Sequence, residues 1–164
     1  MRIRANVTSN FTADQASVSL LTFMVGAQLC ALPIEAVVEV AAMVELVSVP
    51  DSPPEVLGMM NRRGQVVPML DLRLIFKQPN VPVTSQSLFI VATHGEQMVG
   101  LVVDEIVQVT AISQEALQMA PSTGRFVQGI VNLRDELVQV LALPLILAAF
   151  LPDRLSEQPA EGQV

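Results

Sequence analysis

VLGMMNRRGQVVPMLDLRLIF, residues 56–76, sets an Asn-Arg-Arg-Gly tip between two apolar flanks. The flanks have the length and apolar patterning of strands, and Gly64 supplies the positive φ that a tight turn demands. The stretch therefore reads as a hairpin, VLGMMN against QVVPMLD, turning at Arg63-Gly64 with Asn61 as the turn's cap. Pro68 has no N–H to give a ladder, which predicts an edge strand or a bulge at that point. Asp71 then opens a short helix, DLRLIF, as a good N-cap.

The hairpin occurs twice. At an offset of 71, GMMNRRGQVVPMLDLRLIF from Gly58 lies over GIVNLRDELVQVLALPLIL from Gly129, sharing the Gly, Asn and Arg of the tip, one Val, three Leu and one Ile. At an offset of 69, GAQLCALPIEAVVEV from Gly26 lies over GEQMVGLVVDEIVQV from Gly95, with Glu35 opposite Asp104. Two offsets that nearly agree mean a duplication with one short indel, running from about Leu20 to Phe76 and from about Leu88 to Leu147. Within each unit, period-2 or continuous apolar runs bounded by turn residues predict strands. SLLTFMVG and QLCALPI join at Gly26-Ala27, and VVEVAAMVELVSVP continues as a longer strand that bends midway. In the second unit the closing helix starts at Pro144, a residue suited to a first helical turn. Five short strands and a helical turn per unit suggest a small barrel, and two such barrels make the chain.

Composition narrows the function. The chain has 164 residues, 51% hydrophobic and 15% charged, with a formal net charge of −7. Its nine Lys and Arg are scattered and it has no Trp or Tyr to stack on bases, which argues against nucleic acid. The longest apolar run, LVQVLALPLILAAFL from Leu137, is interrupted by Gln139 and Pro144, so no direct membrane insertion is expected, and MRIRANVTSNFTADQ has no apolar core to serve as a signal. The chain reads as cytoplasmic. Cys30 stands alone in an apolar run and reads as a buried, inert thiol. So many aliphatic residues in a small β protein leave some apolar surface over for partners.

Enzyme chemistry finds no support. The one histidine, His94, falls in the turn THGEQ, one His and one Cys are too few for a zinc site, and NRRG leads from strand to strand rather than into a helix that would bind phosphate. Asp71, Asp104, Glu105 and Asp135 all fall at strand ends and read as solvated turn acids. The repetition of the tip as Asn132 and Arg134 leaves two readings of Arg63, a binding group or a guanidinium bracing backbone carbonyls, and favours the structural one for Arg134.

LCALPIEAVVEV, Pro50 before a Pro-rich loop, VLGMMNRRGQVVPMLDLR, VGLVVDEIVQV and FVQGIVNLRDELVQVLAL resemble, in that order and spacing, the CheW-like domain. The resemblance covers about Val18 to Leu151, and its most specific part runs from Gly58 to Arg73. It implies a mainly β fold of two pseudo-repeated five-stranded SH3-like barrels with short helical segments. The implied layout is a flexible N-terminus over 1–17, a first barrel over about 18–82, a second over about 87–147, and a disordered tail over 152–164. It also implies a stand-alone, non-enzymatic adaptor without a cofactor, coupling the cytoplasmic tip of chemoreceptors of the methyl-accepting type to the regulatory domain of a CheA-type histidine kinase, at membrane receptor arrays. Carried onto this chain, the motif places Val37, Glu39, Asn61, Arg63 and Gly64 near a receptor-facing groove. Val40 and Val47 are candidates for kinase contacts or, equally, for core strand positions. Arg62 stands where the family usually has an apolar residue, and Asp135 where the repeat would have a glycine, so Arg62 is a candidate for altering receptor choice. The apolar AAMVEL leaves open an array for pilus motility or another output, and a small-molecule site between the barrels is the rival reading.

Overall fold

A computed structural model describes residues 17–79, 81–119 and 124–151. The N-terminal residues 1–16 and the tail 152–164, on which flexibility and disorder were expected, lie outside the described residues. Among the described residues eleven strands and two short helices follow one another, beginning with β1 (Ser17–Val25), β2 (Gln28–Pro33) and, after one 3-10 turn at Ile34–Ala36, β3 (Val37–Ala42). The hairpin of β4 (Val56–Arg62) and β5 (Gln65–Asp71) leads into α1 (Leu72–Ile75). The second unit repeats this as β6 (Leu88–His94), β7 (Gln97–Val103), β8 (Glu105–Ser113), the two-residue β9 (Gln118–Met119), β10 (Val127–Leu133), β11 (Glu136–Leu141) and α2 (Leu143–Phe150). Strand turns fall where the sequence places them, including Gly26 at φ +60°, and Asp71 caps α1 by accepting the Arg73 N–H at 2.9 Å.

The sheets do not follow the boundary between the units. One is ordered β3-β6-β7-β5-β4 and the other β8-β1-β2-β11-β10-β9. Each unit thus lends its first hairpin to the other: β1 pairs with β8 and β2 runs parallel to β11, while β6 pairs with β3 and β7 runs parallel to β5. A first barrel over about 18–82 and a second over about 87–147 therefore does not describe the sheets. The reason is physical: periodicity fixes which residues form strands and which faces are apolar, and both units offer the same faces to either hairpin.

Both sheets close in the same way. The bend expected after β3 frees the chain to return at Val47, whose backbone pairs with Met59 of β4 in both directions, at 2.9 and 2.8 Å. At the repeat offset, Gln118 pairs with Ile130. Pro68 is not at an edge, since β5 lies between β7 and β4. Met59 turns its N–H and C=O to Val47, so its pair with Pro68 needs no hydrogen bond, and the ladder to β7 begins only at Met69. The missing N–H falls where no partner waits for it.

Each barrel has a small core of its own, Met60, Val67, Met69, Phe89, Val91 and Val102 in the five-stranded one and Leu20, Ala31, Ile112, Val131, Val138 and Val140 in the other. A larger cluster lies between them and draws on both, with Phe23, Leu32, Leu70, Ile90, Leu101 and Leu141 fully buried. Cys30 belongs to it, and burial pushes its thiol up to about 12, which keeps it protonated and unreactive. Among the described residues no helix is long and apolar enough to cross a membrane.

Closure of the five-stranded barrel depends on Gly58, at φ +152°, where a Cβ would meet the Val47 carbonyl oxygen at 2.6 Å. Gly58→Ala is expected to cost about 2–3 kcal/mol in urea unfolding, against about 1 kcal/mol for Gly95→Ala, whose positive φ is strained for alanine but whose surroundings are open.

Candidate functional site

The β4–β5 tip is a two-residue turn in which both Arg63, at φ +53°, and Gly64, at +82°, are left-handed. This is the type I′ pattern whose twist suits flanking strands. Asn61 Oδ1 accepts the Gly64 N–H at 2.9 Å. The second unit reproduces the turn with Arg134 at +52° and Asp135 at +68°, and Asn132 Oδ1 accepts the Asp135 N–H at 3.1 Å. What the repeat shares is therefore turn geometry braced by asparagine. Neither Arg63 nor Arg134 hydrogen-bonds a carbonyl among the described residues, and both are exposed, so the bracing role considered for the guanidinium belongs to the amide beside it.

Arg62 ends β4 on the side that Met60 turns into the barrel core, and across the barrel end lies Glu39 of β3. Arg62 Nε donates to Glu39 Oε2 at 3.2 Å, so the pair spans one end of the five-stranded barrel. The Arg62 hydrogen bond holds the Glu39 carboxyl below its ordinary range; desolvation opposes this in part, and the charges of Arg62 and Arg63 add to it. The arginine that departs from the family pattern is thus the one that engages Glu39. Arg63 contributes its field alone and keeps its donors toward solvent.

Around this end runs an apolar band. Val38 and Val40 point outward from β3, and Val47, Met59 and Pro68 stand side by side on three neighbouring backbone segments. Val66, beside Asn61, is 68% exposed and Val47 is 71% exposed. Val40 and Val47 are therefore surface residues, not core strand positions. Val37 departs from the rest: a bulge between it and Glu39 turns it toward the large cluster between the barrels, where it is half-buried. The structure thus gathers Glu39, Asn61, Arg62, Arg63 and Gly64 at one barrel end, with Val40 and Val47 on the adjoining surface.

Asp71 is not a solvated turn acid: it is 2% exposed, and Arg73 beside it 3%. Arg73 donates through Nε and Nη2 to the two oxygens of Asp71, at 3.0 and 3.2 Å, and through Nη1 to Asp104 Oδ1 at 3.4 Å. The Asp71 hydrogen bonds raise the Arg73 pKa further, so the guanidinium stays charged. A signal for this triad was present in the repeat, where Asp71 and Arg73 are replaced together, by Ala142 and Pro144. Asp71 is buried while Arg63 stands out on the turn, so the two do not line one cavity. An open hollow on the other barrel is lined by Gln28, Val107, Glu136 and Leu137 among others.

The profile of the CheW-like domain matches residues 19–150. Among curated proteins the chain is similar to the chemotaxis protein CheW of Helicobacter pylori, 27% identical over 147 residues covering 87% of this chain and 89% of that one. It is also similar to CheW of Bacillus subtilis, 25% identical over 146 residues covering 86% and 90%. Among solved structures, the scaffolding protein TtCheW from Thermoanaerobacter tengcongensis superposes with a TM-score of 0.72 at 25% identity, covering 77% of this chain and 89% of that one.

Because Arg62 is the main cause of Glu39's depressed pKa, Arg62→Met is expected to move the Glu39 carboxyl titration upward toward its ordinary range, read by NMR. The sign follows from the depression: the pair strengthens the fold above the ordinary carboxylate range and is lost as pH falls through the folded-state value. Asp135→Gly should relieve left-handed strain and stabilise the chain by about 0.5–1 kcal/mol in denaturant unfolding.

Proposed function

Because the chain belongs to the CheW-like domain family, matched over residues 19–150, we propose that it is a non-enzymatic adaptor coupling chemoreceptors to a CheA-type histidine kinase in chemotaxis signalling. The observation that carries the reading onto this chain is the β3–β4 end of the five-stranded barrel. There an ion pair joins β3 to β4, the adjoining left-handed turn carries an exposed arginine, and the neighbouring segments present exposed valines. An outward valine in water gains by being covered, on the order of 1 kcal/mol for each that a partner buries fully. Rim charges add little affinity but set register and partner choice.

In this reading Val40 and Val47, with Val38 and Val66, face the regulatory domain of the kinase. Glu39, Asn61, Arg63 and Gly64 face the receptor's cytoplasmic tip, with Val37 behind them at the boundary between barrels. Arg62 fixes Glu39 and so leaves Arg63 available to an acidic group on the receptor. The protein works in the cytoplasm and is held at receptor arrays by its partners, where several weak contacts act together.

Titration calorimetry with the purified kinase regulatory domain and a receptor-tip fragment tests this. Val47→Lys, at a position 71% exposed, should leave circular dichroism unchanged and weaken kinase-domain binding by roughly tenfold or more. Arg63→Glu should instead weaken the receptor fragment. Wild-type protein that binds neither at micromolar concentration rules the adaptor reading out for those partners.

A further inference from the structure

Among the described residues the chain passes between the two barrels at two places, Ile34–Ala36 between β2 and β3, and Asp104, the single residue between β7 and β8. They are equivalent in the repeat, Glu35 lying over Asp104 at the offset of 69. Their surroundings differ sharply. Asp104 donates its N–H to the Met24 carbonyl at 2.9 Å, accepts the Gly26 N–H on Oδ2, and receives Arg73 Nη1 on Oδ1. Arg73 is itself locked by Asp71, and its carbonyl accepts the Gln78 N–H at 2.8 Å. Gln78 Oε1 in turn accepts the Ala27 N–H at 3.0 Å. The tip of the β1–β2 hairpin, which belongs to one barrel, is thereby tied to α1 and the crossover of the other.

Among the described residues the Ile34–Ala36 crossover has no such side-chain ties. Ile34–Ala36 is one 3-10 turn with no buried residue and no side-chain cap, and Glu35 is exposed. The positions that would hold it carry Ala142 and Pro144 where the first unit has Asp71 and Arg73. This free turn runs directly into Val37 and Glu39. The large shared cluster keeps the barrels together, so any adjustment between them is local.

We propose that Arg73 and Asp104 are positioning residues: they pin one crossover, so that the adjustment made when a partner seats beside Val37 and Glu39 is taken up at the other, Ile34–Ala36. The partner in this statement rests on the adaptor reading, whereas the pinning does not.

Hydrogen exchange on the full chain, free and with the receptor-tip fragment, tests both parts. In the free chain the Gly26 and Ala27 amides should exchange at least roughly tenfold more slowly than those of residues 35–37. Asp104→Ala should speed Gly26 and also Ala27, which Asp104 does not touch, by roughly tenfold, about the loss of one hydrogen bond to a charged group, with residues 56–70 unchanged. If that variant does not fold, Asp104→Asn, which keeps an acceptor for Gly26 but drops the charge, should give a smaller rise at the same two amides. The fragment should alter exchange at 34–37 and leave 24–28 alone in the wild type, but reach 24–28 in the Asp104 variant, which a purely stabilising role would not produce. Equal exchange at the two crossovers, or an Ala27 amide indifferent to Asp104, overturns the proposal. A wild-type chain that shows the contrast yet binds no partner supports the pinning and overturns the adaptor reading.

Discussion

The parallel ladders between β2 and β11 and between β5 and β7 are the contacts on which everything else hangs. Each joins a strand of one repeat unit to a strand of the other, and each is what admits a borrowed hairpin into a barrel. Once the hairpins are exchanged, the outward faces of β1, β2, β6 and β7 meet between the barrels and bury Phe23, Leu32, Ile90 and Leu101 together. A chain with many aliphatic residues and few aromatics fills three cores this way, because β-branched and leucine side chains pack well on pleated surfaces. The barrels are thus two by geometry and one by energetics.

On that nearly symmetric frame the interaction chemistry is placed asymmetrically. Both hairpin tips have the same left-handed turn and the same asparagine brace, yet only the first unit puts an arginine at the end of β4 and a glutamate opposite. At the corresponding positions the second unit has Leu133 and Gln108, which cannot pair. The buried triad is one-sided as well, with Ala142 and Pro144 on the other side. A duplicated scaffold supplies shape twice, and single substitutions at matched positions give one end its charge and one crossover its clamp.

Much of this is legible in the sequence, and what is not depends on contacts between distant segments. Strand ends, the Gly26 and Gly64 turns and the Asp71 cap depend on residues within a few positions of one another, so local chemistry shows them. The hairpin exchange was hidden because a repeat offset says which segments are equivalent, not which of two equivalent partners each one pairs with. Arg62 and Glu39 are 23 residues apart and meet only through barrel closure, so Arg62 could be marked as unusual but not given its partner. Burial of Asp71 and Arg73 escaped because charged residues at a strand end are ordinarily solvated, and what makes an exception of this pair is the arrival of Asp104 from the other unit. The alternative of core or surface for Val47 was settled by one backbone bridge that turns its side chain outward.

The exchanged hairpins also set a schedule for synthesis. β1 and β2 leave the ribosome before the other described strands, but their sheet neighbours β8 and β11 are made much later, so the earliest of these strands are late to find their places. The five-stranded barrel, whose strands all lie between Val37 and Val103, can close while the remainder is still being made. Until then Leu20, Phe23 and Leu32 stand uncovered on an unpaired hairpin, the kind of exposed apolar strand that invites aggregation. Long-range pairing slows folding, and here it asks β1 and β2 to wait for β8 and β11.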